Sequence, residues 1–434
     1  MASVHWGFGQ EPLSLTEADR LTYNYYLQKN WPQLLQTGKQ ALHQGIDFYY
    51  LRVRMGIACY ELQNYDAAIR HFKAAQAMST ADDYVAAYLY FAYLYNGRRM
   101  DDLQVAQAAP AAVAESWVGS KPKGVAQADI YFNQNRVDEA ALLRNFTTAA
   151  LPAADGQQFF STGHRYYYAG LAHELGRGLF IYHAYTSLQK QHYLFERIGS
   201  ADVHKPGFQS TLHQYAAAAT LRLGTGVQLR GGFHYVNASY PELRVVNRPG
   251  NTTQLVWLQQ STGEVVLWTG LAAQFPYVRT AVQVYTGNLN GLRQLQADAL
   301  VVLFPLGNNR LYSTTRLTAQ RESIAAQAVQ RMIVEQQLGG QLARPLWAEA
   351  YLAAGPQHNY IAGDGFVLFN AMDVIRLRTG LRLFVFLTSR LRLHLEGSLQ
   401  QSEGVFTPVN TIKPTYNPVS FQNHSIAGGI TWYF

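Results

Sequence analysis

Of the 13 histidines in this 434-residue chain, His164, His183, His192, His213, His234, His358, His394 and His424 could serve as general bases. Ser161, Ser200, Ser210 and Ser239 could serve as nucleophiles. Serine hydrolysis needs a nucleophile, a base and an orienting group brought together. No two of these residues form a recognised motif. His204 with Asp202, or His358 with Asp364, could form a hydrolytic pair at a rim, although loop residues of this kind are ordinarily just solvated. The single cysteine, Cys59, excludes an internal disulfide and a cysteine-based zinc site. The pairs His183/His192 and His204/His213 lack the i,i+4 spacing of helical ligands, and HExxH, EF-hand and GxxxxGK[ST] patterns are absent. Gly224-Thr-Gly226 and Gly339-Gly340 read as turns. The expectation is no catalytic residue, no metal and no cofactor, with a rim-facing hydrolase as a minor alternative.

The arginines offer different chemistry. Arg376, Arg378, Arg382 and Arg392 fall on one face of two consecutive segments, and Arg310, Arg316 and Arg331 could join them. Lining a water-filled lumen, they would make a cationic wall favouring anionic solutes. Paired with Glu335, Glu349 and Glu396, they would instead help fill the interior, since buried charges are tolerated when paired. The bulky Trp347, Tyr351, Phe384 and Phe386 on the same side favour the filled interior.

The elements carrying these side chains alternate with period two. In Leu391–Gln400, Leu391, Leu393, Leu395 and Leu399 face one way, and Arg392, His394, Glu396, Ser398 and Gln400 the other. Runs such as 158–175, 179–197 and 208–223 exceed the five or six residues usual in globular sheets and reach the 9–11 that cross a bilayer at a tilt. Tight turns are expected at 175–178, 224–226, 275–276, 306–309, 338–340 and 388–390. Mostly longer connections fall between them, near 135–157, 198–206, 239–261, 355–372 and 401–420. That sorting is the pattern of outer-membrane barrels. Fourteen strands are read, near 125–134, 158–174, 178–197, 207–223, 226–238, 262–274, 277–287, 293–305, 309–320, 325–337, 343–354, 373–387, 391–400 and 421–434. Twelve or sixteen stay open, because 239–261 and 356–372 are hard to read.

Composition agrees. Charged residues are 15% of the chain, against about 25% in average globular proteins, and there are 29 tyrosines. Amphipathic rings collect at lipid headgroups. The net charge of +7 is spread without a Lys/Arg run, which argues against nucleic acid. No apolar run is long enough for a spanning helix, so a membrane location requires a closed barrel. Ile426, Gly428, Ile430, Trp432 and Phe434 share a face at the C-terminus. This end resembles the signal by which the barrel-assembly machinery recognises outer-membrane barrels. Gly429, Trp432 and Phe434 match its glycine and two aromatic positions, and Ala427 departs where that pattern prefers a polar residue.

The N-terminal part reads as helices, at about 15–29, 32–43, 47–62, 65–78, 82–95 and 99–108. Gly56, Ala68, Phe72 and Ala75 have the spacing of the tetratricopeptide (TPR) consensus, and one repeat resembles it well. The flanking pairs match by length only. Residues 1–10 read as a signal-peptide remnant or a disordered terminus, 11–110 as a TPR-like domain in the periplasm, 111–123 as a linker and 124–434 as the barrel. The stretch Asp364–Asp373, two strands and an aromatic-ended last strand make the chain resemble the helical-repeat-plus-barrel outer-membrane proteins common in Bacteroidetes. That resemblance implies location and architecture only. The functional expectation is a barrel embedded in the lipid bilayer of the outer membrane that anchors a helical domain for a periplasmic protein partner. The alternative is a solute channel whose cationic lumen favours anions.

Overall fold

The computed structural model describes residues 12–79, 82–137, 142–144, 146, 154–176, 178–248, 252–408 and 416–434. The N-terminal stretch 1–10 lies outside them. The chain forms two compact units, a helical one, which also includes Phe304–Asn309, and a β unit.

The helical unit contains α1 (Leu15–Leu27), α2 (Trp31–His43), α3 (Tyr49–Glu61), α4 (Tyr65–Met78), α5 (Asp83–Tyr95), α6 (Arg99–Ala108) and the short α7 (Ala111–Ala114). Ser14, Asn30, Asn64 and Asp82 cap α1, α2, α4 and α5 through side-chain oxygens that accept from first-turn N–H groups. Gly56 and Phe72 set the α3–α4 contact. A Cβ on Gly56 would stand 2.5 Å from the Phe72 ring, so only glycine lets the ring lie against α3. Ala68, Phe72 and Ala75 are fully buried there. Gly38 against Met55 repeats the device between α2 and α3.

The β unit is a closed antiparallel barrel of fourteen strands. They are β1 (Gln127–Val137), β2 (Gly156–Leu175), β3 (Leu179–Ile198), β4 (Ala201–Gly224), β5 (Val227–Arg248), β6 (Thr252–Phe275), β7 (Val278–Leu289), β8 (Leu292–Leu303), β9 (Leu311–Ile324), β10 (Gln327–Ala343), β11 (Leu346–Gln357), β14 (Val374–Phe386), β15 (Leu391–Pro408) and β16 (Tyr416–Tyr433). Sequence neighbours pair throughout, except that β11 pairs β14, and β16 closes the barrel on β1. Between β11 and β14 lie two three-residue strands, β12 (Tyr360–Ala362) and β13 (Val367–Phe369), which pair only with each other.

The burial pattern is inverted relative to a soluble sandwich. Leu267, Leu271, Val282, Met332, Leu338, Leu395 and Ile426 face outward and are exposed. Gln283, Gln296, Asp298, Arg316, Thr318 and Gln320 face inward and are buried. An apolar belt outside and a polar interior, with no free sheet edge, is how strands cross a bilayer. The chain is thus an outer-membrane-type β-barrel preceded by a helical region.

Beside the connections expected at 198–206 and 401–420, much of which is strand in β4, β15 and β16, three expectations need correcting. Leu338-Gly-Gly340 is not a turn but lies inside β10, where the Tyr312 ring packs over Gly339 in place of a side chain. The stretch 239–261 is mostly strand, because β5 and β6 continue as a paired extension through Arg248 and Thr252. The third is the segment 355–372, which is not an outer loop.

Candidate functional site

The segment after β11 enters the barrel. Gly355 (φ 118°) stands at a register shift between Ala354 and Gln357. Beyond it the chain folds into the β12–β13 hairpin. Gly363, Asp364 and Gly365 form its tip with φ of 57°, 55° and 87°, the left-handed region that glycine visits freely and aspartate tolerates. A Cβ on Gly365 would stand 2.5 Å from Nε1 of the inward-facing Trp268. The backbone can therefore approach the wall only as glycine.

A hairpin surrounded by side chains must satisfy its backbone polar groups. Inward-facing amides of the barrel do so. Gln296 donates from Nε2 to the Ile361 carbonyl (2.7 Å) and accepts from the Ile361 N–H (3.1 Å), which mimics a strand neighbour. Gln294 donates to the Asn359 carbonyl (2.7 Å) and Gln320 to that of His358 (2.8 Å). His234 Nδ1 donates to the Gly365 carbonyl at 2.9 Å. Charged groups add to this. Asp364 lies 2.8 Å from Arg230 and 3.3 Å from Arg316, and accepts from Gln283 at 3.2 Å. Arg316 also pairs with Asp298 at 2.9 Å. Glu322 accepts from Asn359 at 2.8 Å and contacts His358 and Arg331. The residues of this network come chiefly from β5 and β7–β9, so the hairpin is tied to one side of the lumen.

On the other side of the hairpin lies a cavity of about 460 Å³. Its walls come from β1–β3, β11 and β14–β16 and from the hairpin residues Phe366–Asn370. Lys190, Arg378, Arg382 and Arg392 line it, as do the carboxylates of Asp129, Asp373 and Glu396. Tyr131, Tyr166, Tyr168, Tyr351 and Phe384 supply aromatic surface.

The four arginines read from the sequence are divided by the structure. Arg378, Arg382 and Arg392 line this cavity. Arg378 pairs with Glu335 at 2.8 Å, and Arg382 with Glu396 at 2.9 Å. Arg392 donates to Thr431 at 3.0 Å and lies over the Phe384 ring. Arg376 is not among them. It sits at a register shift of β14 with 43% of its side chain exposed and pairs with Glu403. The cavity wall thus carries compensated charge.

Gly429, Trp432 and Phe434 lie at the end of β16. Trp432 and Phe434 are exposed on the outward face. Gly429 is on the opposite face, where a Cβ would stand 2.6 Å from the Ile130 carbonyl.

The hydrolytic candidates do not assemble. Ser161 Oγ lies 3.5 Å from His192 Nδ1, but Ser161 donates to Asp373, and His192 Nε2 faces Ser210 Oγ at 3.1 Å. No carboxylate orients that imidazole. Asp202 is held by Arg197, while His204 bonds Tyr193. His358 bonds Glu322, whereas Asp364 bonds Arg230. Among the described residues no group of His, Cys, Asp and Glu has metal-site geometry. Sequence reasoning missed the anchoring glutamines. Their signal was present, as Gln294, Gln296 and Asp298 alternate on one face of β8, but period-two polar residues read only as lumen-facing.

No protein-family model and no curated protein matches the chain. Solved barrels resemble it at low identity. A Pseudomonas aeruginosa FadL homologue is 8% identical over 77% of this chain and 94% of its own, with a TM-score of 0.44. The Pseudomonas putida toluene transporter TodX is 7% identical over 72% and 90%, with a TM-score of 0.41. The Ralstonia pickettii toluene transporter TbuX is 7% identical over 76% and 93%, with a TM-score of 0.43. The lumen of this chain holds the β12–β13 hairpin beside a cavity of about 460 Å³, which a barrel serving only as an anchor does not require. The expectation that the barrel serves to hold the helices for a partner is therefore withdrawn.

Proposed function

We propose that the chain is a solute channel of the outer membrane, in which the β12–β13 hairpin narrows the lumen and leaves the cavity beside it as the path or resting place of the solute. The observation that carries this reading is the asymmetry of the lumen. Barrel amides and arginines hold the hairpin against one wall, while a cavity of about 460 Å³ remains against the other. A barrel used only as an anchor gains nothing from such a division. Because Arg378 and Arg382 are paired with glutamates, anion preference is expected to be weak.

In this reading the helical domain, TPR-like around Gly56 and Phe72, lies in the periplasm. An even strand number returns the last strand to the side where the first begins. The partners are the lipid bilayer and the barrel-assembly machinery, which would read Gly429, Trp432 and Phe434. The Bacteroidetes-type affiliation belongs to the same proposal. Reconstitution of the folded chain into planar bilayers tests the channel. Discrete conductance steps are expected, and their absence from heat-modifiable protein would remove the proposal.

A further inference from the structure

The cavity wall opposite the hairpin carries polar atoms that the protein itself leaves unmatched. Asn135, Gln357 and Asn423 are 4%, 1% and 2% exposed, and the side-chain oxygen of each lacks a hydrogen-bond partner. All three line the cavity. Nε of Arg378 and Nε of Arg392 are likewise buried without an acceptor, although the rest of each guanidinium is engaged. Buried polar atoms are nearly always matched, and unmatched ones call for an explanation such as water or a ligand.

The strand register places Asn135, Asn423 and Arg378 in a row, with Arg392 eight residues farther along β15 from Gln400. Asn135 pairs across to His164 and is diagonal to Asn423, Asn423 pairs with Gln400, and Gln400 pairs with Arg378. Cross-strand and diagonal neighbours on one face lie within side-chain reach of a single small molecule. The facing surface is apolar, formed by Phe366, Val367, Leu368 and Phe369 of the hairpin.

The geometry points to a binding site for a small uncharged polyhydroxy solute, of mono- or disaccharide size, with its hydroxyls on the amide row and its C–H face against the hairpin. This rests on the reading of the lumen as a solute path. A hydroxyl both donates and accepts, so it can meet an amide oxygen and a guanidinium N–H in the same row. A primary amide offers both roles whichever way it is turned. A carboxylate solute only accepts, so it could meet the guanidinium N–H groups but not the amide oxygens, and Arg378 and Arg382 are already paired with glutamates. A hydrocarbon would strand the amides that water otherwise satisfies. The volume falls within the ~300–1,000 Å³ usual for small-molecule sites.

Saturation-transfer NMR on the full folded chain in detergent micelles, with sucrose and benzoate as probes, tests the site. Saturation of sucrose ring protons is expected, well above that of benzoate. Asn135→Leu and Asn423→Leu should each weaken sucrose binding at least tenfold. Asn423→Ser, which disturbs the fold less, should weaken it about threefold. Each variant is first shown to be heat-modifiable on a gel. No transfer to sucrose, equal transfer in the leucine variants, or stronger transfer to benzoate would overturn the inference. Conductance of the same preparation separates the two readings. Conduction without sucrose binding removes only this site, whereas sucrose binding without conduction supports the site and removes the channel.

Discussion

Asp364 holds a left-handed backbone conformation at the hairpin tip and faces two arginines. Removing the carboxylate would take from Arg230 its carboxylate partner and leave Arg316 with less compensation. Breaking a buried pair costs about 3–5 kcal/mol, and less here because both side chains are a quarter to a third exposed. Asp364→Ala is therefore expected to loosen the hairpin while the barrel stays closed. Limited chymotrypsin digestion of the heat-modifiable protein should cut faster at Tyr360, Phe366 or Phe369. Unchanged cleavage would show that the glutamine contacts alone hold the hairpin. His71, in the helical unit, makes a pH-dependent claim. Burial, then the nearby Arg52 and Arg70, lower its pKa from 6.5 to about 4, and Asp47 opposes this. The folded pKa lies below the unfolded one, so the contribution is complete above about pH 6.5 and is lost as pH falls through 4. Helical circular dichroism of the full chain should melt at lower temperature across that window, and His71→Gln should flatten the trend. A melting temperature independent of pH in that window would show that His71 is not buried as described.

At the scale of elements, much was legible because period-two alternation runs through most of the barrel strands, as in β7 and β8. All fourteen strands exist at the expected places, although β5, β6 and β15 run eight to ten residues past their expected ends, and the ends of the expected helices differ by a residue or two. What failed was turn chemistry and everything long-range. Gly339-Gly340 carries the composition of a turn, yet Tyr312 supplies from the next strand the packing that glycine lacks. No local window contains that ring. The hairpin was read as a loop because its partners, Gln294, Gln296 and Gln320, lie 38–65 positions away in the chain. The arginine face was legible as a face, and so was its pairing with Glu335 and Glu396; which arginine meets which glutamate depended on register. Arg376 was misplaced by the register shift of β14, which a two-residue period cannot foresee. The last strand permits a separate prediction. Phe434 is exposed and its backbone N–H reaches the Ala126 carbonyl at 3.1 Å. Phe434→Ala leaves that hydrogen bond intact and removes only an outward ring. Little loss of refolding in micelles is expected, with a severalfold drop in assembled, heat-modifiable barrel in cells. Equal losses in both settings would mean that the ring serves folding rather than recognition.

As a whole, the molecule's β unit is an inside-out barrel with one of its own connections folded into the lumen. The outward leucines and valines place it in lipid, and the inward amides belong to a chain that must hold a hairpin in its own lumen. If that hairpin narrows a solute path, its removal has a direct consequence. Residues 360–369 can be replaced by a short Gly-Ser linker joining Asn359 to Asn370, which leaves all fourteen strands unchanged. Single-channel recording of the two proteins in planar bilayers is the measurement that tests this most directly. The full chain is expected to show small discrete steps and the shortened chain steps several times larger, at the same salt and voltage. Steps of equal size, or none in either folded protein, would contradict the account.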